Sequence, residues 1–331
     1  MKALLSKTPG GPETLVVDEL PAPRPGANQV VVGVQAVGIN YPDVLIIQDL
    51  YQARPPRPFA PGAELAGTVL AVGSDVTRLA PGDRVVAVPG WGAAAEQVAV
   101  DQAMCVKIPD AMPYDDAAAL VATYGTSHYA LHARGGLQAG ETLLVLGAAG
   151  GVGAAAVELG KAAGARVVAA ASSAEKVAFA MACGADAGVV YPRGPLDRQQ
   201  QKTLADDIKA ACGGAADVIY DAVGGEYAEP ALRAIGWHGR YLVVGFPAGI
   251  PRMPLNLVLL KSCQVVGVLW GAWVARDPAA FAPQVEQLLA LYLAGRIRPR
   301  ISNRYPLERG AEAIRDLADR QAMGKIVLTV G

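Results

Sequence analysis

The chain of 331 residues is long enough for two domains of about 100–200 residues each. Its 29 basic and 30 acidic residues nearly cancel, which argues against a surface for nucleic acid or anionic membranes, because either surface needs a basic excess. Apolar residues make up 52% of the chain and charged residues 18%, so there is ample material for a core.

Neither a secretion signal nor a membrane span is predicted. The first residues lack a long apolar stretch, and the longest nearly apolar run, Leu143 to Val157, is shorter than the roughly 20 residues that cross a bilayer. We therefore expect a cytoplasmic protein. The 4 cysteines are scattered without a CxxC pair, which favours reduced thiols over disulfides or a structural zinc site.

Residues 1 to about 120 are expected to form a compact β domain. Short runs rich in Val and Ala, separated by Pro/Gly pairs, predict strands, and no helical period extends through this half. The predicted strands are Val30–Val37, Leu65–Val72, Asp83–Val88 and Glu96–Val100.

From about Gly140 the pattern changes to alternating strands and helices. The predicted strands are Thr142–Leu146, Arg166–Ala170, Gly188–Tyr191, Asp217–Tyr220, Gly239–Gly245 and Gln264–Val268. The predicted helices are a stretch of small residues reaching about Ala163, then Ala174–Ala182, Gln199–Ala211, Glu226–Ile235 and Ala279–Ala294. This alternation predicts an α/β fold with a doubly wound parallel sheet.

The C-terminal tail is expected to return to the first domain. Leu307, Ala311, Ile314 and Ala318 share one face of a predicted helix, and Ile326–Val330 is the predicted last strand.

A glycine-rich turn lies between the first strand and the first helix of the second half. Aligned on the pattern G-x-G-x-x-G, it contains Ala148-x-Gly150-x-x-Gly153. Gly150 and Gly151 lack a Cβ atom, so the backbone can approach a pyrophosphate, and Gly153 lets the helix pack close to the strand. The N–H groups of the helix start, which includes Val152, face the phosphates. The turn predicts a dinucleotide site, with a plain tight turn as the alternative.

The end of the second strand bears on the choice between NAD and NADP. An NAD enzyme places an acidic residue there, about 20 residues after the turn, to bind the ribose 2′-hydroxyl. Here the strand ends in Ser172 and Ser173, with Lys176 one helical turn further on. Hydroxyls and a cation suit a 2′-phosphate, so we expect NADPH. A compatible alternative is that Ser172 and Glu175 form a capping box and Lys176 is merely solvated.

Further motifs along the whole chain resemble, in order, the quinone oxidoreductase branch of the medium-chain dehydrogenase/reductase superfamily. Besides the Ala148–Gly153 turn they are Gly38–Asp43, Tyr51 with Pro55–Phe59, Pro61–Gly67, Gly125–Leu131, Asp221–Gly225, Gly245–Gly249, Pro254–Lys261 and Gly324–Leu328. The resemblance implies a GroES-like catalytic β domain of residues 1–122 and 298–331. It also implies a Rossmann NADPH-binding domain of residues 123–297 with a six-stranded parallel sheet, and a cleft between the two domains.

The resemblance is to the zinc-free branch. Zinc alcohol dehydrogenases of the superfamily have a Cys near the position of Asn40 and a His at that of Ala63, and both ligands are absent here, as is the four-cysteine structural lobe. His128 and His132 have a spacing that can bind metal, but a third ligand is missing. We interpret them as ordinary helix residues and expect no metal.

By resemblance, Asn40 and Asp43 lie on a loop at the floor of the cleft, Tyr51 lies over the substrate space, and Thr126 lies near the nicotinamide. The cofactor residues assigned beyond the glycine turn are Ser172, Ser173, Lys176, Tyr191, Phe246 and Lys325. Two alternatives stay open. Asn40–Asp43 is an Asx/Pro turn that only folds the loop, and Tyr51 is an aromatic residue that only covers the core.

A metal-free nicotinamide enzyme must position its acceptor and stabilise the charge that develops on it. For a quinone or an enone that charge falls on an oxygen, and the candidate donors are Tyr51, the Asn40 amide or water. The expected function is an NADPH:quinone reductase. The alternatives are a reductase of an activated C=C bond (alkenal, enoyl thioester or haloacrylate) and a non-enzymatic NADPH-binding structural or regulatory protein.

Assembly is predicted from the last strand of the sheet. Gln264–Gly271 is a long apolar segment, and an open edge of this kind invites pairing with another chain. We expect a symmetric homodimer in which two such strands meet antiparallel.

Overall fold

The computed structural model describes residues 1–331, and the chain forms two compact units. The first contains Met1–Gly125, Gly271–Leu293 and Pro299–Gly331, and the second contains Thr126–Trp270 and Ala294–Arg298. Gly271–Leu293, which the sequence assigned to the nucleotide-binding domain, packs in the first unit instead. There, Gln284 Nε2 donates a hydrogen bond to the Gly125 carbonyl and the Tyr292 hydroxyl donates one to Asp116.

Fifteen strands follow one another along the chain. They are β1 (Lys2–Ser6), β2 (Leu15–Glu19), β3 (Gln29–Ile39), β4 (Glu64–Val72), β5 (Arg84–Ala87), β6 (Gln97–Asp101), β7 (Cys105–Lys107), β8 (Thr142–Leu146), β9 (Arg166–Ala171), β10 (Ala187–Val190), β11 (Ala216–Asp221), β12 (Ile235–Val243), β13 (Gln264–Gly267), β14 (Ile301–Pro306) and β15 (Lys325–Thr329).

Eleven α-helices connect or flank these strands. They are α1 (Tyr41–Ile46), α2 (Tyr114–Ala118), α3 (Val121–His128), α4 (Gly151–Ala162), α5 (Ala174–Ala182), α6 (Arg198–Ala211), α7 (Ala228–Arg233), α8 (Leu255–Lys261), α9 (Trp270–Arg276), α10 (Phe281–Leu293) and α11 (Gly310–Ala318). A π-helical segment, Tyr129–Arg134, continues α3. Short 3-10 turns occur at Pro12–Thr14, Gln102–Met104, Gly225–Tyr227, Pro278–Ala280 and Leu307–Arg309.

The first unit is built on a seven-stranded sheet with the order β14-β15-β3-β4-β5-β7, in which β6 also pairs with β3. The last strand, β15, pairs antiparallel with β3 and sets Ile326 opposite Ile39. The predicted return of the tail to the first domain is therefore confirmed. This pairing also brings the start of β15 next to the end of β3, where the Asn40–Asp43 loop begins.

The second unit is built on a parallel six-stranded sheet with the order β10-β9-β8-β11-β12-β13, which confirms the predicted doubly wound fold. The strand order reverses between β8 and β11. In sheets of this kind ligands bind beyond the carboxyl ends of the strands at such a reversal. The β8 strand ends at Leu146, directly before the glycine-rich turn.

Two predicted elements have different ends. The helix predicted to reach Ile235 ends at Arg233, because Ile235 already pairs with Ala216 at the start of β12. The strand predicted over Gln264–Gly271 is wrong beyond Gly267, since α9 begins at Trp270. The edge strand is therefore short.

Five helices were predicted without bounds or not at all: α1, α2, α3, α8 and α9. None is longer than eight residues, too short for a hydrophobic period to show. All four cysteines are buried, and none of them is paired in a disulfide. None of the helices combines the length and apolar character that spanning a bilayer requires.

Candidate dinucleotide site and catalytic loop

The glycine turn joins β8 to α4 and has little room for side chains on its inner face. Gly147 adopts a left-handed φ of 72°, and its carbonyl accepts the N–H of Gly150 at 3.0 Å. A Cβ atom on Gly153 would lie 2.1 Å from the Gly147 carbonyl oxygen, so only glycine fits there. A Cβ atom on Gly150 would approach nothing closer than 3.5 Å, which leaves its outer face open. This geometry confirms the packing expected of a dinucleotide turn.

Two hydroxyls, those of Ser127 and Tyr220, are hydrogen-bonded to each other beside the start of α4. Ser127 Oγ donates to the carbonyl of Val152, at 2.8 Å, and lies 2.9 Å from the hydroxyl of Tyr220 on β11. Burial raises the pKa of Tyr220 beyond its ordinary range, so the phenol stays protonated and remains able to donate. Sequence reasoning missed Ser127 and Tyr220, because their link to the turn requires the pairing of β8 with β11.

The end of β9 presents two serines with different roles. Ser173 is the N-cap of α5, since its Oγ accepts the N–H of Lys176 at 3.2 Å. The alternative capping box that began at Ser172 is therefore wrong by one residue. Ser172 Oγ is left for another partner, and Arg193 Nε donates to it at 3.4 Å.

Arg193 is a cation that sequence reasoning did not find. It follows β10, and because β10 and β9 are parallel neighbours, the residues after both strands meet at one edge of the sheet. The strand order of a doubly wound sheet, applied to the sequence, offers a signal for it: the segment after the third strand lies beside the end of the second. Tyr191, predicted at the same place, is only 6% exposed and packs its ring 4.6 Å from that of Tyr227.

The buried carboxyl of Asp221 joins the loop after β11 to strand β12. One oxygen accepts the N–H groups of Val223 and Gly224, both at 2.8 Å, and the other accepts the Tyr241 hydroxyl at 2.7 Å. Burial raises the pKa of Asp221, although these bonds oppose the shift. Phe246, predicted near the nicotinamide, stands in the loop after β12 and is 42% exposed.

In the first unit, Asp43 lies in the first turn of α1 and is buried. One carboxylate oxygen accepts the N–H of Asn40 at 2.8 Å, and the other accepts the N–H of Gly62 at 2.9 Å. Burial raises the pKa of Asp43 to about 6, even though both hydrogen bonds and the nearby Lys325 lower it. Both oxygens bind main chain, so Asp43 holds the loop in place.

Asn40 belongs to a buried ionic network at the end of β3. Its Nδ2 donates to Glu64 Oε1 at 2.9 Å, and its Oδ1 accepts from Lys325 Nζ at 2.6 Å. Lys325 Nζ also lies 2.7 Å from Glu64 Oε1 and donates to the Ile39 carbonyl. Glu64 Oε2 accepts the N–H of Ala122.

Both charged side chains of this network are shielded from water, with side-chain exposures of 4% for Lys325 and 0% for Glu64. Sequence reasoning assigned Lys325 to the cofactor. The structure shows the Lys325 ammonium engaged within the first unit, on Glu64, Asn40 and the Ile39 carbonyl.

Tyr51 follows the loop after α1 and packs its half-buried ring against the core of the first unit. Its pKa is raised by burial and by the charge of Asp43, so the phenol stays protonated at neutral pH. Asn40, Asp43 and Tyr51 thus belong to one unit, whereas Thr126 begins the chain of the other.

The paired histidines lie at the end of α3, with His128 and His132 ring centroids 4.5 Å apart. Burial lowers the pKa of His128 to about 4, so that ring is neutral at pH 7. In residues 1–331 no three His, Cys, Asp or Glu side chains form a group suited to a metal ion.

Comparisons with known proteins agree with this architecture. The family "Alcohol dehydrogenase GroES-like domain" matches residues 26–110, and "Zinc-binding dehydrogenase" matches residues 151–290. The chain is 38% identical over 322 residues to the quinone oxidoreductase-like protein 2 homolog of Nematostella vectensis, covering 96% of this chain and 86% of that one.

Two solved structures are similar over almost the whole chain. Escherichia coli quinone oxidoreductase complexed with NADPH has a TM-score of 0.89 at 27% identity, covering 99% of this chain and 100% of that one. A mycobacterial protein complexed with NADPH has a TM-score of 0.91 at 28% identity, with the same coverage of both chains. The chain therefore belongs to the medium-chain dehydrogenase/reductase superfamily, in its quinone oxidoreductase-like branch.

Proposed function

We propose that this chain is an NADPH-dependent oxidoreductase that transfers a hydride to a quinone without using a metal. The observation that carries the proposal is the edge of the second sheet. There the glycine turn offers open backbone for a pyrophosphate, and Ser172 with Arg193 replaces the carboxylate that would bind a free ribose 2′-hydroxyl. The NADPH complexes of the similar structures support the same cofactor.

The residues fit NADPH in two places. The open face of Gly150 at the start of α4 suits the pyrophosphate, because α4 presents its free N–H groups there. Ser172 and the cations Lys176 and Arg193 suit the 2′-phosphate, since charge-assisted hydrogen bonds to phosphate are strong. Tyr191 and Phe246 remain proposed contacts of the adenosine and nicotinamide halves, and Thr126 of the nicotinamide itself.

Bound NADPH would supply the hydride. Negative charge then develops on an oxygen of the acceptor, and the protein must stabilise or protonate that oxygen. Tyr51 is the proposed proton donor, because its half-buried phenol follows the Asn40–Asp43 segment in the chain and is protonated at neutral pH. Asn40 orients the loop or the acceptor, and Asp43 holds that loop through two main-chain hydrogen bonds. Lys325 is proposed to act through Asn40.

A second candidate is reduction of an activated C=C bond, and the protonated phenol of Tyr51 favours it. An enolate must be quenched, whereas a hydroquinone oxygen can take its proton from water. Positioned acid catalysis is worth about 10²- to 10⁴-fold where it operates.

The test is NADPH oxidation against 1,4-naphthoquinone, 2-cyclohexenone and crotonyl-CoA, with NADH in parallel. We expect turnover with the quinone and a preference for NADPH. Tyr51→Phe should lower kcat more for the enone than for the quinone. Tight NADPH binding without turnover of any acceptor would instead identify a non-enzymatic binding protein.

We propose further that two chains associate through the β13 edge. Although the strand is short, α8 beside it in the chain exposes Leu255, Leu259 and Leu260, with 79% exposure at Leu259. Val265 on β13 is also exposed. An apolar patch next to an open strand edge is a suitable surface for a second copy. Light scattering should give a dimer that Val265→Lys converts to monomers; a monomeric parent protein at micromolar concentration would contradict it.

A further inference from the structure

Arg57 connects the end of β1 with the segment after α1, which leads to Tyr51. Its Nε donates to Ser6 Oγ at 3.2 Å, and its Nη2 donates to the carbonyl of Ile47 at 3.0 Å. Its Nη1 lies 2.8 Å from Asp49 Oδ1, and both side chains are partly buried. The angles of this last contact do not fit a hydrogen bond, so it is an ion pair only, and Asp49 Oδ1 accepts no hydrogen bond.

The chain next to Arg57 is hydrogen-bonded to the end of β1. Phe59, two residues later, forms a bridge with Ser6 at the end of β1, through hydrogen bonds in both directions between their main chains. The guanidinium also lies 5.3 Å from the centre of the Phe59 ring. The backbone near Arg57 is thus bonded to β1, while its guanidinium contacts the segment that follows α1.

The segment that Arg57 holds leads directly to Tyr51. The Ile47 carbonyl lies at the C-terminal end of α1, where a cation interacts favourably with the helix dipole. Asp49 adopts a left-handed φ of 58°, an uncommon conformation for a residue with a side chain. Two residues later comes Tyr51, preceded by the exposed Leu50. The contacts of Arg57 with Ile47 and Asp49 thus lie within four residues of Tyr51, on a segment that main-chain hydrogen bonds also hold.

We infer that Arg57 is the positioning residue for Tyr51: its guanidinium fixes Ile47 and Asp49 and thereby sets the phenol where the acceptor oxygen is protonated. The inference rests on the proposed function of Tyr51. Arginine is required because a lysine ammonium cannot direct three contacts in a plane at once. Arg57 touches neither substrate nor cofactor in this role.

A double-mutant cycle tests it. Arg57→Met should lower kcat for 2-cyclohexenone by roughly 10- to 100-fold, because a small misplacement of a catalytic group has effects of this size. NADPH affinity should stay unchanged. In a Tyr51→Phe background the same substitution should have almost no further effect on kcat. Arg57→Lys should restore part of the rate, and Arg54→Met, at an exposed arginine nearby, should be neutral.

A second measurement does not depend on turnover. The ring resonance of Tyr51 in protein with ¹³C-labelled tyrosine is assigned by its loss in Tyr51→Phe. Its pKa should fall in Arg57→Met as the ring gains contact with water. An unchanged titration, or an equal loss of kcat in both tyrosine backgrounds, would overturn the inference while quinone turnover by the parent protein leaves the proposed function standing. Absence of turnover by the parent protein would count against the proposed function alone.

Discussion

The glycine turn of the second unit and the Asn40 network of the first unit are built in opposite ways. The Gly147–Gly153 turn is one short stretch of chain, and its shape depends on backbone atoms that touch each other. The Asn40 region is made of side chains from distant parts of the chain, and Lys325 and Asn40 are 285 residues apart. A site made of local backbone is contained in one motif, whereas the members of a long-range ionic network stand in separate motifs, and their contact follows only from the pairing of β3 with β4 and β15.

The largest expected effect breaks the ionic network. Lys325→Met leaves the buried carboxylate of Glu64 without its cation, which typically costs about 3–5 kcal/mol of folding free energy. The double variant Lys325→Met, Glu64→Gln should recover part of the loss. Denaturant unfolding measures both. Lys2→Met, which removes an exposed ion pair with Glu308, is the control and should change little. Equal, small losses for Lys2→Met and Lys325→Met would contradict the network.

The 2′-phosphate site predicts a loss of cofactor affinity. Lys176→Ala and Arg193→Ala should each weaken NADPH binding by about 1.5–3 kcal/mol, the range for a hydrogen bond to a charged group. NADH affinity should hardly change, because NADH lacks the 2′-phosphate. Calorimetry with both cofactors measures this. If NADH and NADPH lose equally, the two cations are structural.

The glycine turn predicts a contrast between two substitutions. Gly153→Ala forces a Cβ atom against the Gly147 carbonyl and should lower the stability of the cofactor-free protein by about 1–3 kcal/mol. Gly150→Ala finds space and should keep that stability but weaken NADPH binding. Thermal unfolding and cofactor titration separate the two effects. The same response from both variants would show that the turn does not work as described.

The smallest expected change, taken per pH unit, is the pH dependence of stability at Asp43. Its pKa is about 6 in the folded chain against 3.8 for an ordinary aspartate carboxyl, so between pH 4 and 6 the folded state binds more protons than the unfolded state. Stability from this group is therefore lost as pH rises through that window, by at most about 1.4 kcal/mol per pH unit. The difference between the parent protein and Asp43→Asn isolates it, because carboxyls with lowered pKa, such as Asp186, contribute equally to both. Parallel stability curves would contradict the shift.

The same contrast explains what could be predicted from sequence. The second sheet was predicted nearly strand by strand, since most of its strands are short apolar runs and the turn has a motif, whereas the start of β12 at Ile235, in a more polar run, was missed. The short helix α1 could not be predicted, because its six residues are too few to show a helical period. The partners of Lys325 could not be predicted either, because they depend on the pairing of β15 with β3. Arg193 is an intermediate case, since its position beside Ser172 could be predicted from the sequence once the strand order is assumed.

The most direct test of the central claim is the rate of NADPH oxidation by 1,4-naphthoquinone with ordinary NADPH and with NADPH deuterated at the transferred C4 position, in single-turnover experiments. If the protein transfers a hydride to the acceptor, oxidation should depend on both protein and quinone and should slow with the deuterated cofactor. Bound NADPH that persists in the presence of quinone would contradict the account.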